Sequence, residues 1–544
     1  VQQLNELNLN WSEWKEIFTH DLKRMRVREA IPTREFRLFW AQNKDYLKEK
    51  GFSFSNYSGV WRVQQWQNLF DIILPPISSI TLKYPELLLD YQIDHLKKII
   101  LSSRYFHTTL DGSDTGTGKM YIACALAKER DLDLFVIAPL SVLSAWRYVA
   151  EKIFKIKIIA VNYELIKLCK IPTYRQSKRK IKGKYSQIRE VHPCPYLKRK
   201  QKKTAYDSTY DWTDLPKNTL LVFDEAHRCR NYKSQTTDML VGAKDSKCQI
   251  LLSTATLGFT PMDMSATGYV LGLFPKHKDF FKWARFHKCG DKWDDPFVYV
   301  GGAEEMKLIH DEIYSCKGSR MCIKDLGDKF PKLTLKSEPI NMGKNTRKIQ
   351  DEYNHLHSEL QKMTPAQRRA PQGLEQITYA RMNIEMLKVP TMVELAKDYM
   401  DSGSSVAIFV NYTKTLIALS TAFETDSVIW GNQTQSMRDF NIKRFQINEC
   451  PIILCNIQAG GVGISLHDPI SQKPRVGIYN PTFNAIDFKQ AMGRLVRAKG
   501  GPALEILLFA ANTYEENICG NIRGKLENLD SLNNRDLTGD LFDF

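Results

Sequence analysis

Two separate series of short, predominantly apolar runs constrain the fold of this chain more than any other feature. The first, between about residues 85 and 275, contains LFVIAP, IKIIAV, LLVFDE and QILLSTAT; the second, between about 388 and 512, contains VAIFVNY, SVIW, PIILCN, RVGIYN and LEILLF. Runs that stay apolar at successive positions suit strands buried on both faces, and the amphipathic stretches between them supply the helices that cover a parallel sheet. The expected class is therefore α/β, with two parallel-sheet lobes. The rest of the chain reads differently. Residues 1–75 combine WSEWKEIF, spaced like a helix, with GVWRVQQW, which alternates like a strand, and are expected to form a small α+β accessory domain. The expected divisions are thus 1–75, a first lobe at 76–275, a basic and aromatic insertion or linker at 276–387, a second lobe at 388–512, and a helix with an acidic, Asn-rich tail at 513–544. A length of 544 residues suits about three or four domains.

Within the first lobe, DGSDTGTGKM reads as a turn that cradles phosphate before a helix. Gly116 and Gly118 let the backbone turn tightly and aim its N–H groups at phosphate oxygens, and the helix that follows adds its positive end. Lys119 is placed to reach the β- and γ-phosphates. Asp114, Thr115, Gly116, Thr117, Gly118, Lys119 and Met120 are the candidate nucleotide-binding residues of this loop, with Ser113 where such loops usually begin on Gly. Met120 stands where Ser or Thr normally offers a hydroxyl to magnesium. A thioether is no ligand for a hard cation that wants near-octahedral oxygens, so either water replaces the hydroxyl or metal binding is impaired. About a hundred residues later, TLLVFDEAHRCRNYKSQ ends an apolar strand on Asp224 and Glu225, at the carboxyl end where open α/β sheets bind ligands. Asp224 is the candidate magnesium holder, and Glu225 the candidate to orient or deprotonate an attacking water.

DEAH after an apolar strand resembles motif II of the superfamily-two helicase-like ATPases, and the rest of the series follows in order. LLLDYQIDHL resembles the adenine-reading segment, with Gln92 as the base-contacting amide; VIAPLSVLSAW resembles motif Ia, VNYELI motif Ib and STATL motif III. VAIFVNYTKTL resembles motif IV, LCNIQAGGVGISLHD motif V with Gly463 as a nucleotide contact, and QAMGRLVRAKG motif VI. On a helix, Q-x-x-G-R-x-x-R places Gln490, Arg494 and Arg497 on one face. The resemblance implies that this face closes over the γ-phosphate, with the arginines stabilising transition-state charge. APLSVLSAW, NYE, DEAHRCRNYKSQ and SRMCIKDLGDKFPKLTLKSEPI further resemble the Swi/Snf-like translocase branch, the last as a basic segment leading by a strand into the second lobe. GRLVRAKG is worded more like viral and phage members, and KDYLKEKGFSFSNYSGVWRVQQWQNLF resembles in part the HARP module of annealing helicases. Spanning about residues 85–512, the resemblance implies two RecA-like P-loop lobes with nucleotide in the cleft between them, ATP and Mg2+ as cofactors, and a motor that tracks nucleic acid. Because of Met120, three readings stay open: an active ATPase, a nucleotide-binding switch or scaffold that hydrolyses poorly, and an interaction protein that keeps only the fold.

Net charge is +16, and its placement says more than its size. Between Arg175 and Lys203 there are twelve Lys or Arg against one acid, Glu190. Such a window suits a polyanionic partner, because Lys and Arg displace the counterions condensed on nucleic acid. Lys198, Arg199, Lys200, Lys202 and Lys203 are the candidate nucleic-acid contacts, with Tyr185 and Tyr196 interleaved as stacking surfaces. The same window also suits a solvated loop, a localisation signal or a partner-docking arm. Duplex DNA is favoured as track by the Swi/Snf-like wording, RNA stays open, and a protein partner is expected at the amino-terminal domain or the basic insert. Eleven cysteines without a C-x-x-C pair imply reduced thiols rather than disulfides or a zinc site, and the H-x-C pairs His192/Cys194 and His287/Cys289 read as ordinary residues. The start, VQQLNELNLNWSEWKE, has no apolar core, and no run approaches about 18 apolar residues. An intracellular protein is expected, in nucleus or cytoplasm, or in host cell or virion for a viral chain. A start on Val1 rather than Met leaves a fragment or a processed product open.

Overall fold

A computed structural model describes residues 52–55, 60–63 and 77–520, apart from gaps at 182–183, 202–207, 233, 291–297, 315–316, 365–366, 369, 458–463, 482–487, 489–490 and 498–499. Of the expected accessory domain, one antiparallel hairpin is described: β1 (Phe52–Ser55) pairs with β2 (Val60–Val63), which sets Trp61 opposite Phe54. Trp66 and the acidic tail lie outside the described residues. The described chain beyond divides into two compact units, the first taking Gly118–Cys322 with the chain up to Asp114, the second Ile323 onward together with Thr115–Thr117.

In the first unit the chain passes through α1 (Asp90–Tyr105), β3 (Thr108–Asp111), α2 (Lys119–Glu129), β4 (Asp133–Ala138), α3 (Leu143–Tyr148) and β5 (Ile158–Asn162). Four strands then form two antiparallel hairpins, β6 (Lys170–Ile181) with β7 (Lys184–Pro193) and β8 (Leu197–Gln201) with β9 (Ser208–Trp212). The parallel order resumes with β10 (Thr219–Asp224), α4 (Gln235–Ala243) and β11 (Gln249–Ser253); β12 (Cys289–Gly290) and β13 (Val298–Tyr299) make a small hairpin, and β14 (Gly318–Ser319) closes the unit. The sheet order is β14-β3-β11-β10-β4-β5, parallel throughout. Alternate residues of one strand serve different faces. Leu220 and Val222 of β10 enter a core with Leu96, Ile122 and Trp146, while Leu221 and Phe223 enter a second core with Phe135, Met239 and Leu240. Both faces of the strand are dry, which is why LLVF is apolar at every position.

The basic insert is rooted in the second of these cores. Trp212 of β9 lies edge-on to Phe135 and Phe223, at 5.6 and 6.5 Å between centroids, and its indole N–H donates to the Met239 carbonyl at 3.0 Å. A Cβ at Gly242 of α4 would sit 2.1 Å from the Tyr210 carbonyl oxygen, so glycine there lets the hairpin lie against the helix.

The second unit holds β15 (Leu333–Ile340), β16 (Ser405–Val410), β17 (Val428–Ile429), β18 (Ile452–Asn456), β19 (Arg475–Tyr479) and β20 (Ala503–Ala510). They run parallel in the order β15-β20-β19-β16-β18-β17. Pro339 lies in β15 at the sheet edge, where its missing N–H breaks no ladder. The stretch 276–387 is continuous with both sheets, since β14 pairs with β3 and β15 with β20; it also contains the helices Lys344–Gln361 and Pro371–Leu387. Among the described residues no helix is long and apolar enough to cross a membrane, and no disulfide joins the cysteines.

Candidate nucleotide-binding site

From Asp111 at the end of β3, the chain turns through residues 112–118 into α2. Gly116 and Gly118 take φ values of 93° and 101°, in the left-handed region that favours glycine. A Cβ on Gly118 would stand 2.2 Å from Nε2 of Gln92, so the loop and this amide meet only because the residue is glycine. Gln92 is buried in the first turn of α1, its Oε1 accepting the Leu89 N–H at 3.0 Å. Lys119 donates from Nζ to the carbonyls of Ser113 at 2.8 Å and Asp114 at 3.1 Å. Burial lowers its pKa, opposed by the carboxylates of Glu225, Asp111, Asp224 and Asp114. Met120 is partly buried and packs against the apolar cluster that contains Leu96, Ile122 and Val136.

Beneath the loop lies a polar network that no motif announced. Asp111, fully buried, accepts the Ser113 N–H at 3.0 Å through Oδ1, which is 3.2 Å from His95 Nε2. His95 Nδ1 is 2.9 Å from Ser319 Oγ of β14, and Ser113 Oγ accepts the Met321 N–H at 3.0 Å. Arg320 Nη2 pairs with Asp114 Oδ1 at 2.6 Å. Ser113 thus uses its hydroxyl where most such loops have Gly, fastening the loop to the β14 segment. Burial raises the Asp111 carboxyl, but His95 and Lys119 outweigh it and hold the group below the usual range.

At the end of β10, Asp224 is held from three sides. Its Oδ2 accepts the indole N–H of Trp146 at 2.8 Å; its Oδ1 accepts from Ser253 Oγ at 3.3 Å and from the Glu225 N–H at 3.1 Å. Tyr163 donates its hydroxyl to the Asp224 carbonyl at 2.8 Å. Burial, then the neighbouring Glu225 charge, push the Asp224 carboxyl up to about 6. Glu225 takes φ 54°, a strained conformation for a residue with a side chain. Its Oε2 lies 3.3 Å from His227 Nδ1, which is itself 3.2 Å from Thr254 Oγ1. Ser253 and Thr254 of the STATL stretch therefore touch both halves of the acidic motif.

In the second unit, the expected helical face of motif VI is not formed at the arginines. The chain turns at Gly493 (φ 70°), in the left-handed region, and Arg494 to Arg497 follow outside any helix. Gln490 and Gly463 lie outside the described residues. Arg494 is buried; Arg497 donates from Nη1 to the carbonyls of Gly493 and Val496, both at 2.6 Å, and from Nη2 to that of Ile464 at 3.2 Å. Burial and the adjacent Arg494 push Arg497 down to about 9. The Gly493 N–H is accepted by the buried Glu505 at 2.7 Å.

Of the expected nucleic-acid residues, Lys198 and Lys200 lie on the exposed side of β8, 3.8 Å from Asp214 and 3.9 Å from Asp211 respectively. Arg199, between them, lies over the Tyr210 ring at 5.9 Å. Lys202 and Lys203 lie outside the described residues.

The family described as the helicase conserved C-terminal domain matches residues 388–499. A protein of Acanthamoeba polyphaga mimivirus, provisionally named ATP-dependent RNA helicase L364, is 30% identical over 467 residues, covering 83% of this chain and 84% of that one. The chain belongs to the superfamily-two helicase-like ATPases. Among solved structures, the Sulfolobus solfataricus SWI2/SNF2 ATPase core in complex with dsDNA is 15% identical at a TM-score of 0.31, over 83% of this chain and 95% of that one. Dbp5 of S. cerevisiae, bound to RNA and ADP BeF3, is 12% identical at 0.43, over 84% and 98%.

In this helicase-like ATPase, the acidic residues of motif II and the lysine of the loop share one neighbourhood, since Asp224 and Glu225 both act on Lys119. Hard carboxylate oxygens suit magnesium, and the mutual repulsion of Asp224 and Glu225 is what a divalent cation relieves. Among the described residues, no three His, Cys, Asp or Glu cluster as a metal cage. That is compatible with magnesium, which is usually bound by one or two carboxylates plus substrate phosphates. Trp146, His95, Asp111 and Arg320 were not singled out from sequence. Trp146 sat in plain view at the end of motif Ia, but its partner Asp224 lies 78 positions away.

Proposed function

We propose that this ATPase binds ATP on the Asp114–Met120 loop and Gln92, hydrolyses it, and uses the cycle to move along nucleic acid. The observation that supports this best is the gathering of Lys119, Asp224 and Glu225 at one end of a parallel sheet, with Asp224 held by Trp146 and Ser253. Lys119, now bonded to loop carbonyls, exchanges them for β- and γ-phosphate oxygens. Asp224 would hold magnesium, which when bound neutralises phosphate charge; Glu225 orients the attacking water and takes its proton, with His227 fixing the carboxylate. Gln490, Arg494 and Arg497 supply the motif VI charge, and Gly463 a backbone contact of motif V.

Duplex DNA is favoured as the track by the Swi/Snf-like wording, while the mimivirus relative carries an RNA helicase name. A second reading, a nucleotide-bound switch that hydrolyses poorly, is favoured by the apolar packing of Met120. Steady-state ATP hydrolysis with magnesium, alone and with duplex DNA, single-stranded DNA or RNA, separates these. Stimulation by one of them supports the motor and names its track; nucleotide binding without turnover under all four conditions supports the switch.

A further inference from the structure

An acid stands inside the loop read as the receiver of a nucleoside triphosphate. Asp114 lies between Ser113 and Thr115, and a carboxylate there repels phosphate unless its charge is met. Its backbone is already engaged. The Asp114 N–H donates to the Met321 carbonyl at 3.0 Å, and the Asp114 carbonyl accepts from Lys119 Nζ at 3.1 Å. What Asp114 brings toward a bound phosphate is therefore its charge rather than a backbone donor. That charge reaches the lysine, as one of the four carboxylates that act on Lys119.

The counter-charge comes from 206 positions away. Arg320 Nη2 lies 2.6 Å from Asp114 Oδ1, and the two side chains are 3% and 4% exposed, so solvent screens the pair little. Arginine suits the task, because its planar fork matches a carboxylate. A well-fastened segment delivers it. β14 pairs with β3 just before Arg320, the Gly112 N–H donates to the Ser319 carbonyl at 3.0 Å, and the Met321 N–H donates to Ser113 Oγ at 3.0 Å. A Cβ on Gly112 would stand 1.9 Å from the Tyr314 hydroxyl oxygen, so glycine there lets the end of the helix Ala303–Tyr314 close against the loop. We propose that Arg320 is a positioning residue of the nucleotide site, which acts by neutralising Asp114 so that the loop accepts a nucleoside triphosphate. This rests on the reading of the loop as nucleotide-binding.

A strut and a counter-charge behave differently. Removing either partner breaks the same bond, so a strut loses nucleotide affinity from both sides, whereas a counter-charge loses it only when the cation goes. The test is binding of a fluorescent ATP analogue at fixed magnesium, followed by anisotropy, with melting temperatures recorded for each variant. Arg320→Gln leaves Asp114 charged and unpaired, and should weaken binding at least about tenfold. Asp114→Asn leaves the cation beside the phosphates, and should tighten binding about threefold or more. The double variant carries neither charge and should return to within about threefold of the unaltered protein. Where Arg320→Gln melts too low to assay, Asp114→Asn decides alone. Binding by Asp114→Asn that is no tighter than that of the unaltered protein, or an unchanged affinity in a folded Arg320→Gln, overturns the assignment. Absence of ATP binding by the unaltered protein would overturn the loop reading as well; binding by the unaltered protein without these opposite shifts overturns this inference alone.

Discussion

The indole N–H of Trp146 donates to Oδ2 of Asp224 at 2.8 Å, and by that bond motif Ia positions the carboxylate of motif II. Trp146 is fully buried, so the donor does not exchange with water. Trp146→Phe keeps an aromatic ring in the core and removes only the donor. Outer-shell partners of metal-holding groups are typically worth about 10- to 100-fold in metal affinity. The expected result is a loss of that size in magnesium-dependent nucleotide binding, measured by titrating magnesium against a fluorescent nucleotide. An unchanged magnesium requirement would reduce Trp146 to a packing residue.

The same carboxylate sets a pH dependence. Burial and Glu225 raise the folded Asp224 to about 6 from an ordinary 3.8, so the native state binds more protons than the unfolded chain between those values. Stability from this group is therefore greatest below about 4 and declines as pH rises through about 6, while the ionised form that suits magnesium is populated only above that point. Magnesium-assisted nucleotide binding should fall away as pH is lowered, with a midpoint near 6. In Trp146→Phe the midpoint should move upward, because the indole hydrogen bond favours the charged form. A midpoint the same in both proteins would contradict this.

These features show where sequence reading works and where it stops. Val222 and Phe223 announce β10 because every position of that strand is dry, and the same holds for Ile408 and Phe409 in β16. β3 escaped notice. Its TTLD is buried at all four positions, yet Thr108, Thr109 and Asp111 present hydroxyls and a carboxylate where the apolar signal was sought. The His95–Asp111 contact has no local signature either, since its two residues are joined only when α1 packs beside β3. Motif VI shows the opposite error: a spacing that fits a helix was read as one, and Gly493 at φ 70° ends it before the arginines.

Glu505 makes a second test in the other unit. It is fully buried on β20, accepts the Gly493 N–H at 2.7 Å and the Tyr479 hydroxyl at 3.2 Å, and burial pushes it up to about 7. Its folded pKa exceeds the ordinary 4.5, so its contribution to stability is full below that value and is lost as pH rises through about 7. Glu505→Gln keeps an acceptor for Gly493 and cannot ionise. Relative to the unaltered protein, the variant should gain stability between about pH 5 and pH 8, seen as a flatter plot of melting temperature against pH. Parallel plots for the two proteins would show that Glu505 does not titrate in this window.

Lys119 and Arg497 should fail in different ways. Lys119 lies among four carboxylates at the loop, so Lys119→Ala removes the cation proposed to receive phosphate and leaves those acids uncompensated; nucleotide binding should be abolished. Arg497 is held by three carbonyls of its own unit, and Arg497→Ala should spare nucleotide affinity while lowering turnover by about 10³-fold or more. Unchanged turnover in Arg497→Ala would remove it from the finger role.

Met120 is where the loop departs from the usual Ser or Thr. In α2 it packs on the cluster of Leu96 and Ile122, so Met120→Thr exchanges apolar contact for a hydroxyl at the position that usually serves magnesium. Two opposed effects follow from one substitution. Lost packing should lower stability by about 1 kcal/mol. The added oxygen should lower the magnesium concentration for half-maximal turnover by about tenfold, the scale at which single groups near a metal act. The unaltered protein is expected to hydrolyse ATP at saturating magnesium, because Lys119, Asp224 and Glu225 are all in place and water substitutes for one hydroxyl. Turnover that appears only in Met120→Thr would instead mean a site complete but for this side chain, and a native protein that holds nucleotide without spending it.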